Sequence, residues 1–163
     1  MSELLSYKTN LLSVAEQFQH KYELSKTVGD DYYEPGMMEN LDQYLGEYDP
    51  DGNTLTIRTE SKGLRYENRT QRLESLNVGD PVKIVRDPEN EFNSNNFRIL
   101  SIKNEDLGNL SADLCNALAY LYDLGYAVIT SSEITYIESI FQRSRYAKQG
   151  VLFIEMKIQF RGI

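Results

Sequence analysis

The sequence is poor in the residues that build metal sites, disulfides and covalent catalysts. Its 163 residues include one cysteine and one histidine, and no tryptophan. Cys115 cannot form an internal disulfide, and it lies far from His20 without the ligand spacing of a zinc site. The chain contains no motif for nucleophilic catalysis or for binding nucleotide phosphates. We therefore expect no metal, no other cofactor and no enzymatic activity.

Long apolar runs are also missing. No stretch approaches the roughly 18 apolar residues that a membrane-spanning helix needs. The N-terminus, Met1–Lys8, lacks the apolar core and cleavage site of a signal peptide. We therefore expect a cytoplasmic protein without a membrane partner. The hydrophobic content of 40% is sufficient for a folded core.

Positive charge is absent from one part of this acidic chain, whose net charge is −8. Eight carboxylates and no lysine or arginine lie between Lys26 and Arg58. This asymmetry predicts an acidic N-terminal extension, residues 1–53, on a charge-balanced domain, residues 54–163. One interpretation is a solvated surface. The alternative is an acidic DNA mimic or inhibitor that binds a protein partner, a nucleic-acid enzyme, through Asp30, Asp31, Glu34 and Asp42.

Hydrophobic periodicity separates a helical first part from a strand-rich second part. Apolar residues spaced for one stripe predict a helix over residues 3–26, and a second short helix follows Pro35. From Thr54 the pattern alternates, and Ser111 and Gly125 delimit one later helix. The predicted strands are residues 54–58 with an extension to Tyr66, 82–85, 97–102, 107–110, 126–130 with an extension toward 141, and 151–160. We therefore predict an α+β fold: a small curled antiparallel sheet or partly open β-barrel with one inserted helix, preceded by the acidic helical segment.

Two short segments offer groups that suit a polar polymer. Arg65 and Tyr66 form a cation and a ring for phosphate contact and base stacking, or simply a surface arginine beside a half-buried tyrosine. A later loop carries Asn90, Phe92 and Asn93. Its amides either satisfy the backbone of the turn or contact sugars and base edges.

The densest basic patch contains Arg143 and Arg145, with Tyr146 between Arg145 and Lys148. It is typical of a solvated hairpin loop, and the alternative is contact with phosphate groups. Phosphate contact would make the affinity for nucleic acid fall steeply with salt.

Several of these blocks, taken in order, resemble the HIRAN domain family. The resemblance extends over residues 54–162 and includes Gly63–Tyr66, Gly79–Pro88, Asn90–Asn95, Leu107–Leu110 and Asp113–Asp123. It implies an OB-like β-fold and non-catalytic binding of DNA, as a single strand or its 3′ end, in DNA repair, replication or restriction. It also places Arg65 and Tyr66 at a phosphate and a base. Asn90, Phe92 and Asn93 would lie in the loop that binds the end of the strand, where the family's usual Asn-Pro-Tyr-Asp reads Asn-Glu-Phe-Asn.

Overall fold

The computed structural model describes residues 3–14, 47–139 and 149–163. Residues 3–14 form helix α1. The remaining elements are β1 (Glu47–Asp49), β2 (Thr54–Glu60), α2 (Arg69–Arg72), a 3₁₀ helix (Leu73–Ser75), β3 (Val82–Asp87), β4 (Asn96–Ser101), β5 (Asp106–Asn109), α3 (Ala112–Asp123), β6 (Ala127–Glu138) and β7 (Val151–Phe160). None of the helices in these residues is long and apolar enough to cross a membrane. The α+β fold predicted from the sequence is confirmed.

The described strands form two antiparallel sheets that meet at one corner. The larger sheet has the order β1-β2-β7-β6, and the smaller has the order β3-β4-β5. The corner joins the start of β3 to β6, where Pro81 pairs with Glu133 and Ser132 Oγ donates to the carbonyl oxygen of Val82 at 2.6 Å. Two register shifts between β6 and β7 mark irregularities that accompany bending of a long strand. The described strands therefore curl around a core without closing into a complete barrel.

The core lies between the two sheets and helix α3. Strand β7 is central in the larger sheet and carries fully buried Met156 and Ile158 opposite β2. Helix α3 begins where predicted, because the Ser111 side chain accepts a hydrogen bond from the amide of Leu114. Its buried face, which includes Leu118, packs into the same cluster. Apolar burial on both sheets and on α3 thus stabilises one continuous core.

The N-terminal helix packs against this core. Leu11 is fully buried in the core cluster, and Tyr7 stacks on Tyr120 of α3 with ring centroids 4.2 Å apart. Lys8 Nζ donates to Asn53 Oδ1 at 2.7 Å. The prediction of a first helix is confirmed for residues 3–14. The rest of that helix and the predicted second helix lie outside the described residues.

One strand was not predicted from the sequence, and one predicted strand is too long. Residues Glu47–Asp49, placed in the N-terminal extension by charge, form β1 and pair with β2. Strand β2 ends at Glu60, and the predicted extension to Tyr66 is wrong. The chain turns at Gly63, whose φ of +81° favours glycine, and the amide of Tyr66 bonds back to the Gly63 carbonyl at 3.2 Å. The division between residues 53 and 54 stays a prediction.

Candidate nucleic-acid interface

The outer face of the smaller sheet borders two segments that carry candidate residues. Phe97 and Ile99 of β4 are fully buried, so Arg98 between them faces away from the core. Opposite Arg98 lie Val85 of β3 and Asn109 of β5, and directly paired antiparallel residues share a face. We call this surface the β3–β5 outer face. The segment that follows β2 borders one of its edges, and the β3–β4 loop borders one of its ends.

Arg65 and Tyr66 lie at that edge on an exposed turn, the 63–66 turn. Asn109 pairs with Lys62, which brings the turn beside β5. The Arg65 guanidinium carbon lies 4.9 Å from the centre of the Tyr66 ring, and its Nη2 donates to Tyr66 Oη at 2.7 Å. Tyr66 is 54% exposed. Since Leu64 is buried beneath them, the turn presents a cation and a ring to solvent as one unit.

A buried arginine holds this turn in place. The Arg69 side chain is 9% exposed, and its Nη1 donates to the Gly63 carbonyl at 3.0 Å. Its Nη2 lies 2.9 Å from Asp106 Oδ2, and Arg98 Nη2 lies 2.6 Å from the same oxygen. Arg72 donates to the Asp106 backbone carbonyl. We call these four residues the Asp106 cluster; it connects the 63–66 turn to the β3–β5 outer face.

The electrostatics of the Asp106 cluster favour an ionised carboxylate with surplus positive charge around it. Burial would raise the pKa of Asp106, but hydrogen bonds from Arg69, the Gly108 amide and Arg98 outweigh it and hold the pKa below its ordinary value. The hydrogen bond to Asp106 raises the pKa of Arg98. Glu67 lies 3.3 Å from Arg69 but its side chain is 68% exposed. Three guanidinium groups therefore surround one buried carboxylate and one solvated carboxylate.

The Asp106 cluster was missed by sequence reasoning. Its members are separated by as many as 37 positions, and no spacing or local motif relates them. Arg69 and Arg72 stand among polar neighbours in the sequence, and no local pattern distinguishes them. Only the pairing of β4 with β5 and the packing of α2 beside β5 bring the charges together.

The β3–β4 loop is held by its own hydrogen bonds and carries one exposed aromatic ring. Asn90 Oδ1 accepts hydrogen bonds from the amides of Phe92 and Asn93, each at 3.0 Å, and Asn93 Oδ1 accepts from the amide of Asn95 at 3.0 Å. These two side-chain oxygens satisfy the turn backbone, and contact of the asparagines with DNA stays a prediction. Phe92 is 90% exposed. The loop therefore presents an aromatic side chain to solvent on a fixed backbone.

Two further side chains connect the loop to neighbouring elements, Arg86 to helix α3 and Asn96 to strand β5. Arg86 Nη1 donates to the Ser94 carbonyl at 2.7 Å, while its other nitrogens contact Asp123 at 3.0 and 3.1 Å. Asn96, which is buried, donates from Nδ2 to Asp87 at 3.1 Å and to Asn109 Oδ1 at 2.9 Å. Because Asn109 also pairs with Lys62, one hydrogen-bonded path runs from the loop to the 63–66 turn.

The model of the HIRAN domain family matches residues 55–147, more than half of the chain. The chain belongs to the HIRAN domain family. The matched residues include the 63–66 turn, the β3–β4 loop and all three strands of the smaller sheet. Helix α1, β1 and β7 lie outside the match, although β7 is a central strand of the larger sheet in this HIRAN protein.

Three solved structures are similar to this chain. The crystal structure of the HIRAN domain of human HLTF is 21% identical, has a TM-score of 0.50 and aligns over 66% of this chain and 77% of that chain. A crystal structure of a Lactobacillus plantarum protein is 18% identical, with a TM-score of 0.48 and coverage of 64% and 97%. The NMR structure of the HLTF HIRAN domain in its DNA-bound conformation is 22% identical, with a TM-score of 0.45 and coverage of 65% and 76%. Comparison with curated proteins gives no match.

Some of the remaining residues singled out from the sequence of this HIRAN protein lie among the described residues, and others lie outside them. Arg143, Arg145 and the four acidic residues proposed for a protein partner lie outside the described residues. Cys115 is buried, which raises the pKa of its thiol to about 11 and agrees with a core side chain. Among residues 3–14, 47–139 and 149–163, no three histidine, cysteine, aspartate or glutamate side chains are placed to hold a metal ion.

Proposed function

We propose that this HIRAN domain binds DNA without catalysing a reaction, and that its ligand is a single strand held near the 3′ end. The observation that carries the proposal is the exposed Arg65–Tyr66 pair on a turn fixed by buried Arg69. Membership of a family in which the human HLTF domain has a DNA-bound conformation supports DNA as the polymer. A role in DNA repair, replication or restriction follows from the family resemblance.

A single strand suits the site better than a duplex. Tyr66 and Phe92 are exposed rings on fixed backbones, and stacking of a base on such a ring contributes about 1–3 kcal/mol. In a duplex, base faces are already stacked on their neighbours and are inaccessible to these rings. Arg65 adds a cation beside Tyr66 for the adjoining phosphate.

The β3–β4 loop supports a preference for a strand that ends in a 3′-hydroxyl. In the family resemblance this loop receives the end of the strand. Exposed Glu91 lies beside Phe92 on the loop and would repel a terminal phosphate. A terminal hydroxyl carries no charge and meets no such repulsion.

Fluorescence anisotropy at low salt tests the proposal with three labelled ligands: a single strand ending in a 3′-hydroxyl, the same strand ending in a 3′-phosphate, and a duplex. We expect the 3′-hydroxyl strand to bind most tightly. The double variant Arg65→Ala/Tyr66→Ala should abolish that binding with the fold intact. Arg161→Ala removes an exposed arginine at the far end of β7 and serves as the control.

Two results would contradict this proposal. Failure of the wild-type protein to bind any of the three ligands at tens of micromolar protein would exclude DNA binding by this site. Equal loss of affinity in the Arg65→Ala/Tyr66→Ala variant and the Arg161→Ala control would show that net charge, and not the 63–66 turn, attracts the strand. Tighter binding of the 3′-phosphate strand would refute the end preference alone.

A further inference from the structure

Arg98 lies in the middle of the β3–β5 outer face, and its neighbours accept hydrogen bonds from only some of its N–H donors. It lies between Val85 and Asn109 on the adjacent strands, and its side chain is 41% exposed. A guanidinium has five N–H donors, and within the described ranges Asp106 is the one acceptor that bonds to Arg98. Most of its donors thus face solvent on a sheet surface flanked by candidate DNA-binding segments.

The charge of Arg98 is not cancelled by Asp106. Arg98 and Arg69 share the single oxygen Oδ2, while Oδ1 of the same carboxylate accepts from the Gly108 amide at 2.9 Å. The Asp106 carboxylate is therefore shared between two guanidinium groups, and Arg69 also contacts the exposed Glu67 carboxylate at 3.3 Å. The ion pair orients Arg98 on the sheet and leaves its remaining N–H donors for a further anion, in a field to which the carboxylates of Asp87 and Glu67 also contribute.

The strand register places Arg98 within reach of a polymer that is held at the 63–66 turn. Lys62, at the start of that turn, pairs with Asn109, and Asn109 pairs with Arg98. Two strand spacings of about 4.8 Å separate Lys62 from Arg98, a distance of about 10 Å along the sheet. A chain of phosphates leaving Arg65 and crossing β5 would arrive at Arg98.

We propose that Arg98 forms a second anion subsite, which binds an internal phosphodiester group of the strand that is held at the 63–66 turn. This inference rests on the proposed function and extends it from an end-binding site to a track across the β3–β5 outer face. Asp106 acts as the positioning residue that keeps the Arg98 guanidinium on this face. A phosphate contact of this kind positions the strand and carries no sequence information.

The test compares Arg98→Gln with Arg161→Gln, which makes the same change of charge at a distant exposed position. Each protein is titrated with a 3′-hydroxyl decanucleotide by anisotropy and with a 3′-hydroxyl dinucleotide by NMR. We expect Arg98→Gln to weaken decanucleotide binding about tenfold. The slope of log K against log salt should fall by about 0.7 for the one lost phosphate contact. Dinucleotide binding should match that of Arg161→Gln, since the dinucleotide does not reach β4.

The remaining outcomes separate this subsite from the proposed function. The subsite is refuted if Arg98→Gln and Arg161→Gln have equal affinity for the decanucleotide. The end site still stands in that case, provided that Arg65→Ala/Tyr66→Ala abolishes binding. An equal loss of affinity for the decanucleotide and the dinucleotide in Arg98→Gln would also refute the subsite, because Arg98 would then support only the end site. Absence of binding by the wild-type protein refutes both. Thermal melting checks folding, and Arg98→Lys, which keeps the charge, should retain the wild-type salt slope.

Discussion

Replacement of Asp106 by asparagine is the most direct perturbation of the candidate interface. The carboxylate is 11% exposed and faces the equally buried Arg69 at 2.9 Å. Breaking a buried pair by removing one partner costs about 3–5 kcal/mol, because the other charge stays buried. The asparagine oxygen can still accept one hydrogen bond, and solvent screens the charge of Arg98. We therefore expect Asp106→Asn to lower the free energy of unfolding by about 3 kcal/mol, the lower end of that range. For a chain of this size, that loss lowers the Tm by about 6–12 °C.

The effect of Asp106→Asn should depend on pH in a defined direction. The folded protein holds the pKa of Asp106 below its ordinary value of 3.8, because hydrogen bonds from Arg69, Gly108 and Arg98 outweigh the effect of burial. A carboxylate with a lowered pKa stabilises the folded state above its unfolded pKa, and this stabilisation is lost as the pH falls through the folded pKa. The Tm difference between wild type and variant should therefore be constant near neutral pH and shrink below about pH 3.8.

Thermal melting followed by circular dichroism measures both effects. Glu105→Gln is the matched control, since it removes one exposed carboxylate next to Asp106. A surface substitution of this kind changes stability by less than about 0.5 kcal/mol. A Tm for Asp106→Asn within about 2 °C of wild type would refute the argument that Arg69 depends on this carboxylate. A Tm difference that persists unchanged to the lowest pH would refute the assignment of the effect to ionisation.

Two further substitutions separate stability from binding. Leu11→Ala should lower the free energy of unfolding by about 2–4 kcal/mol, since Leu11 is fully buried. Leu5→Ala on the same helix, 57% exposed, should change it little, and equal effects in urea denaturation would contradict the docking of α1 on the core. Phe92→Ala should leave the Tm unchanged but weaken single-strand binding by about 1–2 kcal/mol, or roughly 5–30-fold by anisotropy. Unaltered affinity would show that the ring does not stack on DNA.

The sequence determined the elements whose signals are local. Alternating apolar residues predicted β7 in full and the first part of β2, because a strand with one buried face repeats with a period of two residues, and short apolar runs between turns predicted most of β3, β4 and β5. Ser111 and Gly125 delimited α3, since an N-cap oxygen and a glycine stop are contained within one turn of the chain. The blocks from Gly63 to Asp123 likewise predicted the HIRAN family, because a family resemblance is carried by short residue patterns and by their order along the chain.

Other features required the tertiary structure, because they depend on contacts between distant residues. The acidic composition around β1 concealed a strand, since charged residues on an edge strand can face solvent and leave no apolar period. The sequence named Arg65, Tyr66 and Phe92, but only the path through Asn96 and Asn109 connects their segments. Arg69, Arg98 and Asp106 meet only after β4 pairs with β5. The sequence therefore predicted which side chains are exposed, whereas long-range packing determines the contacts that hold them and the surface that they share.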